Sequence, residues 1–182
     1  MPWLLAGARL GNHVLEVGAG YGAATGQLAK MVPRLTSLEY DLGSLKKLRK
    51  RNPQPIVQPV CGDAVQLPFP ENTFSSAIAV LVLHHLKDKA LQDRAFAEVH
   101  RVLQPGASFY LFEIEDSWIH RLSHFRSTFQ PLSPGSTFSR LGSAGFDRIS
   151  VDFRPGGFRV SARKEANTGL TEKAFAASSA GR

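Results

Sequence analysis

Three glycines at alternate positions, Gly18, Gly20 and Gly22, stand between the apolar run Val14 to Val17 and a helical pattern. Glycine takes positive φ freely and lets a ligand approach with no Cβ in the way, while the first N–H groups of the following helix face outward. Such a loop, with Ala19 and Tyr21 between its glycines, can hold a cofactor by its main chain; a plain tight turn is the alternative. The spacing is Gly-x-Gly-x-Gly preceded by Glu16. It is not the Gly-x-Gly-x-x-Gly of dinucleotide sites, so a different cofactor is indicated. Glu39 lies about 20 residues beyond the loop, where a ribose-binding carboxylate belongs in a doubly wound fold, and an ionised carboxylate accepts from both ribose hydroxyls. Otherwise it is a solvated strand end. Asp63 can accept from the amino group of a base or close an Asx turn. His84 and His85 follow an apolar strand, and neutral imidazole near pH 7 accepts a proton. Packing at the strand end is their other reading. His120 and His124 have the spacing of a metal pair, but no third ligand accompanies them, so no metal is expected.

The elements that must position these residues alternate. A strand enters the glycine loop; a helix with Ala24, Leu28, Met31 and Val32 at its apolar spacing stops at Pro33; a second strand ends at Glu39. A basic helix runs to about Arg51, and a short third strand, 56–60, contains Pro59 and therefore suits an edge. The apolar stretch Phe74 to Leu83 reads as a strand buried on both faces. Asp88 caps a helix whose stripe is Leu91, Ala95, Val99 and Val102, ending at the Pro105-Gly106 turn. A fifth strand covers Ser108 to Ile114, and a last helix ends at Gly145. Ile149, Val151 and Phe153 share one face of a sixth strand, as do Phe158, Val160 and Ala162 of a seventh. Only four residues, Arg154 to Gly157, separate those two, too few for a parallel crossover, so they are antiparallel neighbours. The fold class is α/β, a mostly parallel sheet with one reversed strand near its end.

At 182 residues the chain suits a single domain, with a boundary at about residue 165 and a tail, 166–182, rich in Ala, Ser and Gly and expected to be disordered. Cys61 is the single cysteine, which excludes an internal disulfide. No run reaches the ~20 apolar residues of a membrane span, and the apolar start at Met1 is too short for a signal peptide. A cytoplasmic location is the expectation. A net charge of +7 raises nucleic acid as a partner, but the densest basic run, Lys46 to Arg51, lies on the helix carrying Leu42, Leu45 and Leu48 and reads first as a solvated face.

Taken together, Val14-Leu15-Glu16-Val17-Gly18-Ala19-Gly20-Tyr21-Gly22, Leu38-Glu39-Tyr40-Asp41, Gly62-Asp63-Ala64, Leu83-His84-His85-Leu86 and Glu98 to Gly106 resemble the motifs of class I S-adenosylmethionine-dependent methyltransferases, of the branch acting largely on small molecules. The resemblance extends from about Val14 to Arg163. Ser75 and Ala107 depart from it, where an acid and a second glycine are often found. It implies a Rossmann-like, doubly wound sheet of seven strands. It also implies S-adenosyl-L-methionine as cofactor and S-adenosyl-L-homocysteine as product. Glu16, Gly18, Ala19, Gly20, Tyr21, Gly22, Glu39, Tyr40, Asp63, Ala64 and Leu81 would then be cofactor-binding, with Asp63 on the adenine amino group and Ala64 and Leu81 lining the adenine and sulfonium regions.

Methyl transfer from a sulfonium needs alignment and exclusion of water rather than a nucleophilic side chain. A base, His84 or His85, matters only if the acceptor must lose a proton. The favoured reading is methylation of a small-molecule acceptor, with Trp118, His120 and Phe125 as acceptor-facing residues. The rivals are a nucleic-acid methyltransferase and a non-catalytic module that binds the cofactor. Against the first, Leu83-His84-His85-Leu86 stands where base-amine methylases of this fold carry an Asn/Asp-Pro-Pro-aromatic motif.

Overall fold

The structure is a computed structural model describing residues 3, 5–114, 129–154 and 156–166. The strands are β1 (Val14–Val17), β2 (Leu35–Glu39), β3 (Val57–Cys61), β4 (Phe74–Val80), β5 (Leu103–Ile114), β6 (Phe146–Arg154) and β7 (Gly157–Lys164). The helices are α1 (Thr25–Leu28), α2 (Leu42–Arg51), α3 (Lys89–Val102) and α4 (Pro134–Ser143). All seven strands form one sheet in the order β3-β2-β1-β4-β5-β7-β6. Pairing is parallel from β3 to β5, and β7 runs antiparallel to both β5 and β6. The reversed strand is thus β7, inserted one place from the end, as the short 154–157 link requires.

Alternation along each strand divides the interior in two. Val14, Leu35 and Ile78 pack with Leu28, Val32 and Leu48 beneath α1 and α2, whereas Leu15, Val17, Ala77 and Ala79 pack with Phe96, Val99 and Leu141 beneath α3 and α4. Asp41 caps α2 by accepting from the Ser44 amide at 2.7 Å, and Asp88 caps α3 by accepting from Leu91 at 2.9 Å. Residues 5–7 form a turn and 8–10 run on without regular structure; the Trp3 ring stands edge-on to Phe112 at 5.7 Å, so this arm lies on the sheet.

Several expected boundaries move. The helix after the glycine loop keeps α geometry only over Thr25–Leu28. β4 stops at Val80, three residues early, because Leu81 takes φ +56° and turns the chain into a 3-10 turn over Leu83–His85. β5 begins at Leu103, with Gly106 at φ +79° inside it. Phe153, grouped by its spacing with Ile149 and Val151, is 62% exposed at the sheet edge, whereas those two are half-buried. A bulge between Asp147 and Ser150, with Arg148 at φ +46°, interrupts the β6–β7 ladder. Ser75, in the place of the family acid, accepts from the His13 amide at 2.9 Å and lies within hydrogen-bonding distance of the Leu10 and His13 carbonyls, fastening the arm to β4.

Candidate active site

The carboxyl ends of β1, β2 and β3 and the turn after β4 enclose a crevice of about 400 Å³, lined by Gly18, Leu38, Glu39, Tyr40, Gly62, Asp63, Ala64, Val82, His85 and Leu86. This is the position where open α/β sheets bind ligands.

The glycine loop owes its shape to contacts that a side chain would block. Gly18, Gly20 and Gly22 have φ of +67°, +54° and +80°. A Cβ on Gly18 would run into the Val82 Cγ2, and one on Gly22 into the Asn52 amide nitrogen, whereas one on Gly20 would meet open space. Asn52, buried at the end of α2, donates from Nδ2 to the Gly22 carbonyl at 3.2 Å.

Two acids hold the loop from opposite sides. Glu39 accepts from the Gly20 amide at 2.8 Å through Oε2 and from the Asp41 amide at 2.9 Å through Oε1. Each oxygen keeps a second lone pair, so the carboxylate can still accept from a diol at the crevice wall. Glu16 is 3% exposed and lies behind the loop, where its Oε2 accepts from Thr25 Oγ1 and Ser37 Oγ, both at 2.7 Å. Burial pushes its carboxyl up to about 7, against the two hydroxyl donors, which favour the ionised form.

Asp63 closes an Asx turn, Oδ1 accepting from the Val65 amide at 3.0 Å. Among the described residues its Oδ2 takes no hydrogen bond, so the turn and a role toward an amino group are compatible. Tyr40 is 75% exposed at the mouth. Tyr21 is exposed as well, with the Lys47 ammonium 4.5 Å from its ring centroid. Ala19, Gly20, Tyr21 and Gly22 build the loop without lining the crevice, and Val82 rather than Leu81 forms its wall after β4.

The two histidines separate. His84 is buried with Nδ1 2.6 Å from Glu113 Oε2, while His85 is exposed and lines the crevice. Their ring centroids are 4.2 Å apart. The other oxygen of Glu113 accepts from the Val82 and Leu83 amides at 3.1 and 2.7 Å. From the opposite side buried Gln92 donates to the Leu83 carbonyl at 3.1 Å, and the Gln130 amide donates to that of His84 at 2.8 Å. The strained Leu81 backbone is therefore followed by a turn tied down on both sides. Glu113, Gln92 and Asn52 were not singled out from the sequence. Trp118, His120, His124 and Phe125 lie outside the described residues.

A methyltransferase domain model matches residues 15–111, more than half of the chain, from within β1 through the glycine loop and into β5. The chain belongs to the methyltransferase domain family. Membership makes S-adenosylmethionine its cofactor class, and the crevice with the loop beside it suits that molecule: open space at Gly20 of the loop, a carboxylate able to accept from a diol and a second carboxylate with an oxygen that takes no hydrogen bond among the described residues. Among curated relatives, the demethylmenaquinone methyltransferase of Corynebacterium kroppenstedtii is 35% identical over 103 residues, covering 57% of this chain and 42% of that protein. This methyltransferase chain spans less than half the length of the first curated relatives it matches. An S-adenosylmethionine-dependent methyltransferase from Mesorhizobium loti has the same fold, with a TM-score of 0.76 at 19% identity over 90% of this chain and 96% of that one. The [4+2]-cyclase SpnF matches at a TM-score of 0.75 and 19% identity, covering 91% and 80%, so the fold by itself does not dictate the reaction. Among the described residues no helix is long and apolar enough to cross a membrane.

Proposed function

We propose that this methyltransferase domain binds S-adenosylmethionine in the crevice and passes its methyl group to a small, partly apolar acceptor. The observation that carries the reading is the composition of the crevice wall, where the carboxylates of Glu39 and Asp63 stand with the apolar side chains of Leu38, Val82 and Leu86 and with His85. Bound there, the cofactor supplies a methyl group activated on a sulfonium. Glu39 accepts from the ribose hydroxyls while keeping the Gly20 amide in place, and Asp63 accepts from the adenine amino group. Tyr40 and Ala64 offer apolar surface to the base, and the 18–22 loop presents main-chain groups to the amino-acid portion. Glu16 acts from behind, as the anchor between the loop's helix and β2.

Relatives named for demethylmenaquinone support a partly apolar acceptor. The test is incubation with methyl-labelled cofactor and fractionated cell extract. Label is expected in the small-molecule fraction; label confined to RNA or DNA would transfer the assignment to a nucleic-acid methyltransferase.

A further inference from the structure

Resting on that reading, in which Asp63 accepts from the adenine amino group, we propose that Glu98 and Arg101 are positioning residues for base recognition. Both stand on α3 and neither lines the crevice. They act through the returning half of the loop whose outgoing half is Gly62-Asp63-Ala64.

That loop leaves the sheet after Cys61, passes the crevice with Gly62, Asp63 and Ala64, and comes back at Leu67 to Phe69. The outgoing half is tied mainly to itself. Val65 and Gln66 donate their amides to Asp63, to Oδ1 at 3.0 Å and to the carbonyl at 3.2 Å. The returning half is gripped by the last turn of α3. Glu98 Oε2 accepts from the Leu67 amide at 2.7 Å, and Arg101 donates to the Leu67 and Phe69 carbonyls at 3.0 and 2.8 Å. The two side chains are themselves joined fork to fork, Nε to Oε1 and Nη2 to Oε2, both at 2.8 Å. Among the described residues, only one other hydrogen bond ties 62–69 to a distant part of the chain, from the Gly62 amide to the Glu39 carbonyl at 3.1 Å.

Two features carry the grip to Asp63. The Asp63–Gln66 bridge draws the loop together immediately before Leu67, which is buried in the core. Pro68 in turn closes on Gly62: a Cβ on that glycine would come within 3.1 Å of the Pro68 ring. Holding 67–69 therefore holds the backbone on either side of the Asp63 turn, and with it the direction of the free Oδ2. Released from α3, the turn keeps its internal hydrogen bonds but loses its place against the crevice. The charge of the pair explains little, since the Arg101 side chain is 37% exposed and an exposed ion pair contributes little by itself. Its geometry explains more. A planar guanidinium spans two carbonyls and a carboxylate at once, and a lysine ammonium presents no such fork.

The test is a ratio of affinities, measured by titration calorimetry on the full chain. S-adenosylhomocysteine is compared with S-inosylhomocysteine, in which a carbonyl oxygen replaces the amino group. The wild type is expected to prefer the adenosyl form by about 10- to 150-fold, as for a hydrogen bond to a charged group. Asp63→Asn should abolish the preference. Arg101→Lys and Glu98→Gln should each cut it by at least about threefold, as for coupled members of one hydrogen-bond network, weakening the adenosyl form and leaving the inosyl form nearly unchanged. A smaller folded fraction weakens both ligands by one factor and leaves the ratio alone, so a purely structural role gives equal losses. Equal losses in the two variants, or the full preference retained in Arg101→Lys, would overturn the proposal. The underlying reading fails differently: a wild type that binds both compounds alike would remove Asp63 from the base, and one that binds neither would remove the cofactor from the crevice.

Discussion

Glu39, at the end of β2, holds the Gly20 amide of the loop after β1 at 2.8 Å, so the acid that faces the crevice is also a strut of the loop beside it. Binding surface and scaffold share one carboxylate. Glu39→Ala should weaken S-adenosylhomocysteine by about 1.5 to 3 kcal/mol, the range for a hydrogen bond to a charged group. That is roughly 10- to 150-fold in Kd. Titration calorimetry giving an unchanged Kd would remove Glu39 from the cofactor site.

Gly18 and Val82 lie in contact across the mouth of the crevice. Gly18→Ala adds a Cβ that collides with Val82 at a φ of +67°. It should cost about 2 to 4 kcal/mol from overpacking and backbone strain together. Val82→Ala in the same chain should recover part of this, because the clash is mostly with the Val82 methyl groups. A double-mutant cycle in urea with no coupling between the two positions would contradict the contact.

Glu16 gives stability a pH dependence. Its folded-state carboxyl titrates near 7 and its ordinary value is 4.5, so between those values the folded chain keeps a proton that the unfolded chain has released. Its contribution is complete below about pH 4.5, declines as pH rises to 7 and is flat above. The span is roughly 3 kcal/mol. Urea unfolding of Glu16→Gln should lack this decline, and parallel profiles for the two proteins would refute the assignment.

Lys164 closes the domain. Its ammonium donates to the His100 and Leu103 carbonyls and to Asn72 Oδ1 at 2.8 to 2.9 Å, satisfying groups at the end of α3. Truncation after Glu165 should leave Tm within about 2 °C of the full chain, whereas truncation after Arg163 should lower it by about 4 °C or more. Thermal melts of the two shortened chains check both halves of the statement.

How much of this could be seen beforehand depends on whether a residue's role is local. Gly18, Gly20, Gly22, Glu39 and Asp63 stood out because the backbone conformation and strand-end position that they need are written in nearby residues. The reversed β7 followed from a link too short to cross over. Glu113 escaped notice although a signal existed: it has the same parity along β5 as Ala107, Phe109 and Leu111, which face the core, and a carboxylate in that register needs a buried partner. Nothing in the His84-His85 pair said which ring turns inward. That is decided by the positive φ at Leu81 and by Glu113, 29 residues away from His84.

The bulge at Arg148 matters beyond the hairpin. β6 and β3 are the two margins of the sheet, and an exposed margin offers unpaired amides and carbonyls on which a second molecule can stack. β3 is five residues long and contains Pro59, which has no N–H to lend. β6 is longer, nine residues, and its interrupted register twists the outer rim so that a straight incoming strand cannot pair along its whole length. Each margin carries its own obstacle to aggregation, and straightening β6 by deleting the bulge would remove one of them.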